Sequence, residues 1–358
     1  MAEEVITSLE EVTPAWLTGV LANSGVLTRG SVTTVDVETG GGNWSTHAKL
    51  ALRYAEGSQG ALPQRLFLKM VNTDWGDGAF GPSEVTYYTR DYVDVEDALL
   101  VRCYDAAYSE AQRRYHLLLD DLSATHCEAY RKMPTLAYGL ALADGLAAMH
   151  ARWWGAQRLA EAEGPLPNAE HIQRFVAVAA PGVGPILKHL SQELEPHWPD
   201  AMRTLYTQHP PAMIARTRDD NGFTLIHGDA GPYNILVPRQ GDRPIYLIDR
   251  QPFAWSLTTW LGVYDLAFAI AIHWDVESRR ALEVPILRHY HEQLLKRGVM
   301  GYPWERLWDD YRLSVAMGVY VATAYCRRGV NARAMPYWMP KLKRALTACD
   351  DLDCSALW

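Results

Sequence analysis

The sequence is poor in paired cysteine. Its five cysteines (Cys103, Cys127, Cys326, Cys349 and Cys354) are an odd, scattered set with no Cys-x-x-Cys spacing, which excludes a disulfide framework and a paired-cysteine zinc site and leads us to expect a reducing cytoplasm. No secretion-type leader is expected, because MAEEVITSLEE carries acid where such a leader needs a basic region and then an apolar run. It lacks a long hydrophobic run, since its best, YDLAFAIAIHW, falls short of the roughly eighteen residues a membrane span requires. Basic residues are outnumbered, 34 Lys and Arg against 42 Asp and Glu, for a net charge of −8. A general nucleic-acid binder, which neutralises phosphates with clustered Lys and Arg, is disfavoured. A Gly-x-x-x-x-Gly-Lys-Ser/Thr loop is absent, so a P-loop nucleotide fold is not indicated. There is no internal repeat and no low-complexity tract. Neither a nucleic acid nor a membrane is expected as a partner, and the sequence does not fix an oligomeric state.

What is present begins with Thr13-Pro14, an N-cap followed by a helix-opening proline, which predicts a helix to about Ser24. Alternation follows at Val35, Val37 and Thr39, at Ala48, Leu50, Leu52 and Tyr54, and at Leu66, Leu68 and Met70, the period-two mark of half-buried strands. A helix is expected from Ser83 with Val85, Tyr88 and Tyr92 on one face. Strands are expected near 99–103 and over 115–119, the second running into Asp120-Asp121-Leu122. From Thr135 to Trp154 the spacing turns helical, and most of the remainder follows suit. The exception is a hairpin-like pair, 235–237 and 245–248, joined by RQGD. A β-rich first third and a helical remainder predict an α+β chain of two lobes: residues 1–118, a hinge at 119–123, and residues 124–358.

The chemistry concentrates in LIHGDAGPYNILVP and the IYLIDRQ that follows. His227, Gly228 and Asp229 fall on a loop, Asn234 comes five residues after the aspartate, and Asp249 ends the next apolar strand. Phosphoryl transfer needs these residue types. One carboxylate orients the attacking hydroxyl and accepts its proton, while a second carboxylate and an amide oxygen hold Mg²⁺ against nucleotide phosphates. His-Gly-Asp is also ordinary turn chemistry, with Asn234 available for an Asx-turn. Asp249 in register after a second strand argues for the catalytic reading.

These residues resemble the aminoglycoside phosphotransferase and choline kinase-like superfamily, which shares its fold with protein kinases, and the nearest branch looks ecdysteroid-kinase-like. The resemblance implies that Asp229, beside His227, is catalytic, that Asn234 and Asp249 bind the metal, and that Asp265 in VYDLAFAI braces the catalytic loop. LFLKMV looks like the strand bearing the nucleotide-binding lysine, Lys69. SEVTYY looks like the helix whose glutamate, Glu84, pairs with it. LLLDDL is similar to the hinge, Leu119 and Asp121, that receives adenine, and AMHARWWG resembles the helix before the catalytic region. In order and spacing these cover most of residues 35–270. Gly40-Gly41-Gly42-Asn43-Trp44-Ser45 sits where a phosphate-covering loop belongs, giving Gly41, Gly42, Asn43 and Ser45 as nucleotide contacts, although three glycines also suit a plain hairpin. Lys69, alone on an otherwise apolar strand, must reach solvent or an anion. Arg250 departs from the family pattern, where an aromatic residue often follows the metal aspartate. His150 and His273 read as core histidines.

Only fifteen residues separate Asp249 from Asp265 and no Ala-Pro-Glu follows, which disfavours a protein substrate. The expected reaction is transfer of the ATP γ-phosphate to a hydroxyl of a small alcohol: an amino-alcohol, aminoglycoside, sugar, macrolide or steroid-like compound. The chain has 13 Trp but 6 Phe, and Trp255, Trp260, Trp274, Trp304, Trp308 and Trp338 follow the catalytic loop. Such faces bind amines or stack on rings, and they also fill helical cores. Two alternatives stand beside the kinase: a catalytically silent nucleotide-binding pseudokinase and a nucleotidyltransferase on the same fold.

Overall fold

The computed structural model describes residues 5–41, 45–74, 81–162, 164–253 and 255–358. Contacts gather them into two compact units. The first holds the chain up to Asp94, Leu100–Cys127 and a return segment that begins at Pro238; the second holds Val95–Leu99, Glu128–Val237 and Trp255–Trp358. Helix makes up 48% of the structure and strand 19%. The β-rich part comes first and the helical part second, so the α+β expectation holds.

The first unit is built on a five-stranded antiparallel sheet of β1 (Val32–Gly41), β2 (Ser45–Tyr54), β3 (Arg65–Asn72), β4 (Cys103–Ser109) and β5 (Arg114–Asp120), in the order β1-β2-β3-β5-β4. Register sets Ala48 opposite Leu68, Leu50 opposite Leu66, and Leu68 opposite Leu118, so the alternating apolar residues share one face. Helix α1 (Pro14–Asn23) packs Leu17 and Leu21 into that face. It starts where capping predicts: the Thr13 hydroxyl accepts the Trp16 N–H at 3.1 Å and Pro14 occupies the first turn. Val37 stays 39% exposed because β1 is an edge strand. The strand expected from residue 99 starts only at Cys103, and Leu99 and Val101 are buried as irregular chain instead.

Helix α2 is one α-turn, Ser83–Thr86, continued by a π-turn, Tyr87–Asp91. The wider turn buries Tyr87 and Asp91 as well as the expected Val85, Tyr88 and Tyr92.

In the second unit, α3 (Leu136–Arg152) is capped by the Thr135 hydroxyl, which accepts the Tyr138 N–H at 3.2 Å. Strands β6 (Phe223–Leu225) and β7 (Thr259–Leu261) pair antiparallel, with Leu225 opposite Thr259 and Phe223 opposite Leu261. Helix α4 (Val263–Ala271) follows β7 at once and is buried throughout. Among the described residues, no helix is long and apolar enough to cross a membrane.

Candidate active site

In the first unit, β3 carries Lys69 on the face opposite the core, in register between His47 and Leu117. Its Nζ donates to Glu84 Oε1 and Oε2 at 2.8 and 2.7 Å and to Asp249 Oδ1 at 2.6 Å. Glu84, in the first turn of α2, is 3% exposed and also accepts the Tyr115 hydroxyl at 2.5 Å. Burial works against the Lys69 charge, yet Glu84 and then Asp249 raise its pKa above the ordinary lysine value. Burial raises the Glu84 carboxyl, with Lys69 opposing. Contacts from one ammonium to both carboxylate oxygens favour the ionised pair. Asp249 is the open member of the cluster, its side chain 51% exposed. Its backbone is left-handed, with φ of 59°, a conformation that Asp and Asn tolerate better than most side chains.

In the second unit, the loop of residues 226–234 follows β6, and α4 follows β7. His227 lies two residues beyond β6 and Asp265 in the first turn of α4, which leaves the antiparallel ribbon at its other end, and a hydrogen bond joins the two. The Asp265 carboxylate accepts the His227 N–H at 2.7 Å and the Gly228 N–H at 2.9 Å, and lies 3.2 Å from His150 Nε2. His150 Nδ1 meets the Tyr290 hydroxyl at 2.8 Å. The matching tautomer carries the proton on Nε2 and accepts from Tyr290. Burial disfavours the Asp265 charge, but the His150 hydrogen bond and the Gly228 N–H hold its pKa below the ordinary value. The loop itself is tight: the Asp229 carbonyl accepts the Gly231 N–H at 2.7 Å, and the Asp229 N–H donates to His227 Nδ1 at 3.3 Å. The Asn234 amide N–H₂ donates to Asp229 O at 2.9 Å and to Asp229 Oδ2 at 3.0 Å. Neither bond uses the Asn234 Oδ1, a hard oxygen.

The structure therefore brings Lys69, Glu84 and Asp249 together, and separately His227, Asp229, Asn234 and Asp265. The remaining expected contacts are plainer. Leu119 is a buried residue of β5. The Asp121 carboxylate accepts from Arg65 Nε at 3.0 Å and from the Ser123 N–H at 2.9 Å, while its own N–H reaches Arg65 O only at 3.5 Å. Gly41 pairs with Thr46 next to Ser45, and a Cβ on Gly41 would meet no atom within 4 Å. Gly42, Asn43 and Trp44 lie outside the described residues.

Several neighbours of the loop were not picked out by sequence reasoning. His150 is a core histidine, as expected, but both ring nitrogens serve the Asp265 brace. Gly262 is the residue that makes room for it: a Cβ there would lie 2.7 Å from the Tyr290 hydroxyl and 3.1 Å from His150 Nδ1. His273 packs against the loop, its Nε2 3.0 Å from where a Gly231 Cβ would stand. That Nε2 and the hydroxyl of Tyr138, whose ring lies 5.8 Å from Trp274, are buried polar atoms with no hydrogen-bond partner among the described residues. Tyr130 and Tyr233 pair at 4.7 Å with about half of each exposed. Of the six late tryptophans, Trp260, Trp274 and Trp338 are core residues. A histidine within a helix of small residues was the one local hint of the brace; partners more than a hundred residues away left none.

Asp249 offers a carboxylate and Asn234 an amide oxygen, each a hard donor of the kind Mg²⁺ accepts while keeping several waters. Among the described residues no group of three or more His, Cys, Asp and Glu side chains forms a metal site.

No protein-family profile matches the chain, and no curated protein matches it in sequence. Its fold does have solved counterparts. Choline kinase of Cryptosporidium parvum Iowa II aligns at TM-score 0.57 and 10% identity, over 90% of this chain and 91% of that one. An ethanolamine kinase of Plasmodium vivax aligns at 0.54 and 13%, over 88% and 82%. A spectinomycin phosphotransferase, solved with ADP and spectinomycin, aligns at 0.53 and 12%, over 96% and 99%. What the chain shares with these structures is the fold, a β-rich first part and a helical second part as in kinase-like proteins.

Proposed function

We propose that this chain is an ATP-dependent O-phosphotransferase that moves the γ-phosphoryl group of ATP to a hydroxyl of a small alcohol. The observation that carries the reading is Lys69 held between Glu84 and Asp249. A buried lysine with two carboxylates is positioned to trade one of them for a phosphate oxygen. Asp229 would take the proton of the acceptor hydroxyl as its oxygen attacks the γ-phosphorus, and ADP would leave. Asn234 restrains the Asp229 carboxylate, and Asp265 fixes the loop through its backbone N–H groups. Asp249 and Asn234 would hold Mg²⁺, whose charge offsets that of the phosphates.

On the acceptor side, the buried His273 Nε2 and Tyr138 Oη suit polar substituents, and the half-exposed Tyr130–Tyr233 pair suits a ring or an amine. The neighbours named for choline, ethanolamine and spectinomycin are consistent with that range. The test is incubation with ATP and Mg²⁺ across an alcohol library. The expected result is a mass gain of one phosphate on an alcohol, with stoichiometric ADP. Transfer of a nucleotidyl group, or phosphorylation of peptides alone, would overturn the reading. So would the absence of any thermal stabilisation by saturating MgATP.

A further inference from the structure

Arg250, the residue that departs from the family pattern, turns inward. It is 4% exposed, and its Nη1 donates to Asp91 Oδ2 at 2.6 Å and to the Ser83 carbonyl at 3.4 Å. Its guanidinium carbon lies 5.6 Å from the centre of the Tyr87 ring. Asp91 is 1% exposed, and its other oxygen, Oδ1, accepts from Arg90 Nε at 2.9 Å. Ser83, Tyr87 and Asp91 all belong to α2, the helix that carries Glu84, and its π-turn buries both Tyr87 and Asp91. The Ser83 hydroxyl adds a third tie, donating to the Gln251 carbonyl at 3.3 Å.

The contacts close a ring. On one side Lys69 joins Glu84 to Asp249; on the other Arg250, the residue after Asp249, is held to both ends of α2 through Ser83 and Asp91. The stretch 249–251 is thus fastened to α2 at both of its edges, with the left-handed Asp249 backbone between them. Stability alone gives little reason for this arrangement. Arg250 Nε is buried with no hydrogen-bond partner among the described residues, and well-packed neutral residues replace a buried ion pair without loss in many proteins. A guanidinium in a fixed fork does supply directional contacts.

We propose that Arg250 is a positioning residue: through Asp91 and Ser83 it sets the separation of the Asp249 and Glu84 carboxylates about Lys69. This rests on the phosphotransfer reading for its consequence in catalysis, but its geometry can be tested without nucleotide. Arg250→Met alone strips the buried Asp91 of its inner guanidinium and endangers folding. The informative protein is therefore the neutral pair, Arg250→Met with Asp91→Asn, beside Arg250→Lys.

In nucleotide-free protein the rate of Lys69 acylation by a water-soluble succinimidyl ester, read by peptide mass spectrometry, is expected to rise severalfold in the neutral pair. Its Tm should stay within a few degrees of wild type. With nucleotide, the same protein should need about tenfold more Mg²⁺ for half-maximal stabilisation by ATP, and its kcat should fall by a similar factor. Arg250→Lys should recover part of both. Wild-type Lys69 labelling in the folded neutral pair overturns the proposal, as does a labelling change that merely follows lost Tm. Failure of wild type to respond to MgATP, with Lys69 labelling still raised in the neutral pair, overturns the phosphotransfer reading and leaves the positioning role supported.

Discussion

Two carboxylates, Asp249 in the first unit and Asp265 in the second, show how the same group is prepared for opposite tasks. Asp265 is fully buried, takes two backbone N–H groups and the His150 ring, and draws these contacts from its own unit. Asp249 is half exposed, sits on left-handed backbone, and shares the Lys69 ammonium with Glu84. A carboxylate saturated with donors holds a loop in place; one that shares a cation at the surface can accept another cation at little cost. Burial and donor count, not residue type, separate the anchor from the working ligand.

The largest expected effect tests whether the second unit does chemistry as well as anchoring. Asp229→Asn keeps the shape and removes the base, so kcat should fall by about 10²–10⁴ while ATP affinity barely changes. Equal turnover by the folded variant, in a steady-state assay on any accepted alcohol, would leave the second unit as scaffold alone. Next comes the anchor itself: Asp265→Ala orphans two buried N–H groups and the His150 ring, which should cost ~3 kcal/mol in denaturant unfolding. Unchanged stability would abolish the contrast.

The third prediction uses acid. His209 is buried, meets the Leu313 carbonyl at 3.0 Å and the Tyr320 hydroxyl at 2.9 Å, and burial pushes its pKa down to about 4 from 6.5. Because the unfolded chain takes up this proton first, stability is lost as pH falls from 6.5 through about 4, by at most ~3 kcal/mol. His209→Gln should flatten that part of the pH profile in thermal melts. The smallest effect belongs to the exchangeable cluster. Lys69→Ala should raise the ATP KM about tenfold, the loss of one charge-assisted contact worth ~1.4 kcal/mol. An unaltered ATP KM would remove Lys69 from the nucleotide site.

Much of the frame was legible because it is periodic or capped. Alternation at Ala48, Leu50 and Leu52 and at Leu66, Leu68 and Met70 fixes which face of the sheet is buried, and Thr13-Pro14 and Thr135 open their helices where capping predicts. The Lys69–Glu84 pair was implied by the family resemblance; the residues alone said only that a charge stranded on an apolar strand needs solvent or an anion. The π-turn at Tyr87–Asp91 was hidden, since Val85, Tyr88 and Tyr92 satisfy an ordinary helix equally well. Arg250–Asp91 spans 159 residues and His150–Asp265 spans 115, so neither leaves a local trace. Gly262 is visible only once the Tyr290 hydroxyl stands beside it.

The left-handed backbone at Asp249 also bears on how such a chain could fall silent over generations. At φ of 59° the residues that fit with least strain are Gly, Asn and Asp. An aspartate codon becomes an asparagine or a glycine codon by one nucleotide change. The mutations nearest at hand are therefore those that remove the carboxylate proposed to bind metal while sparing the fold. On the proposed phosphotransfer reading, Asp249→Asn and Asp249→Gly are expected to give well-folded proteins that lose turnover, which thermal melts beside a steady-state assay would check. The left-handed backbone alone would accept the loss of this carboxylate.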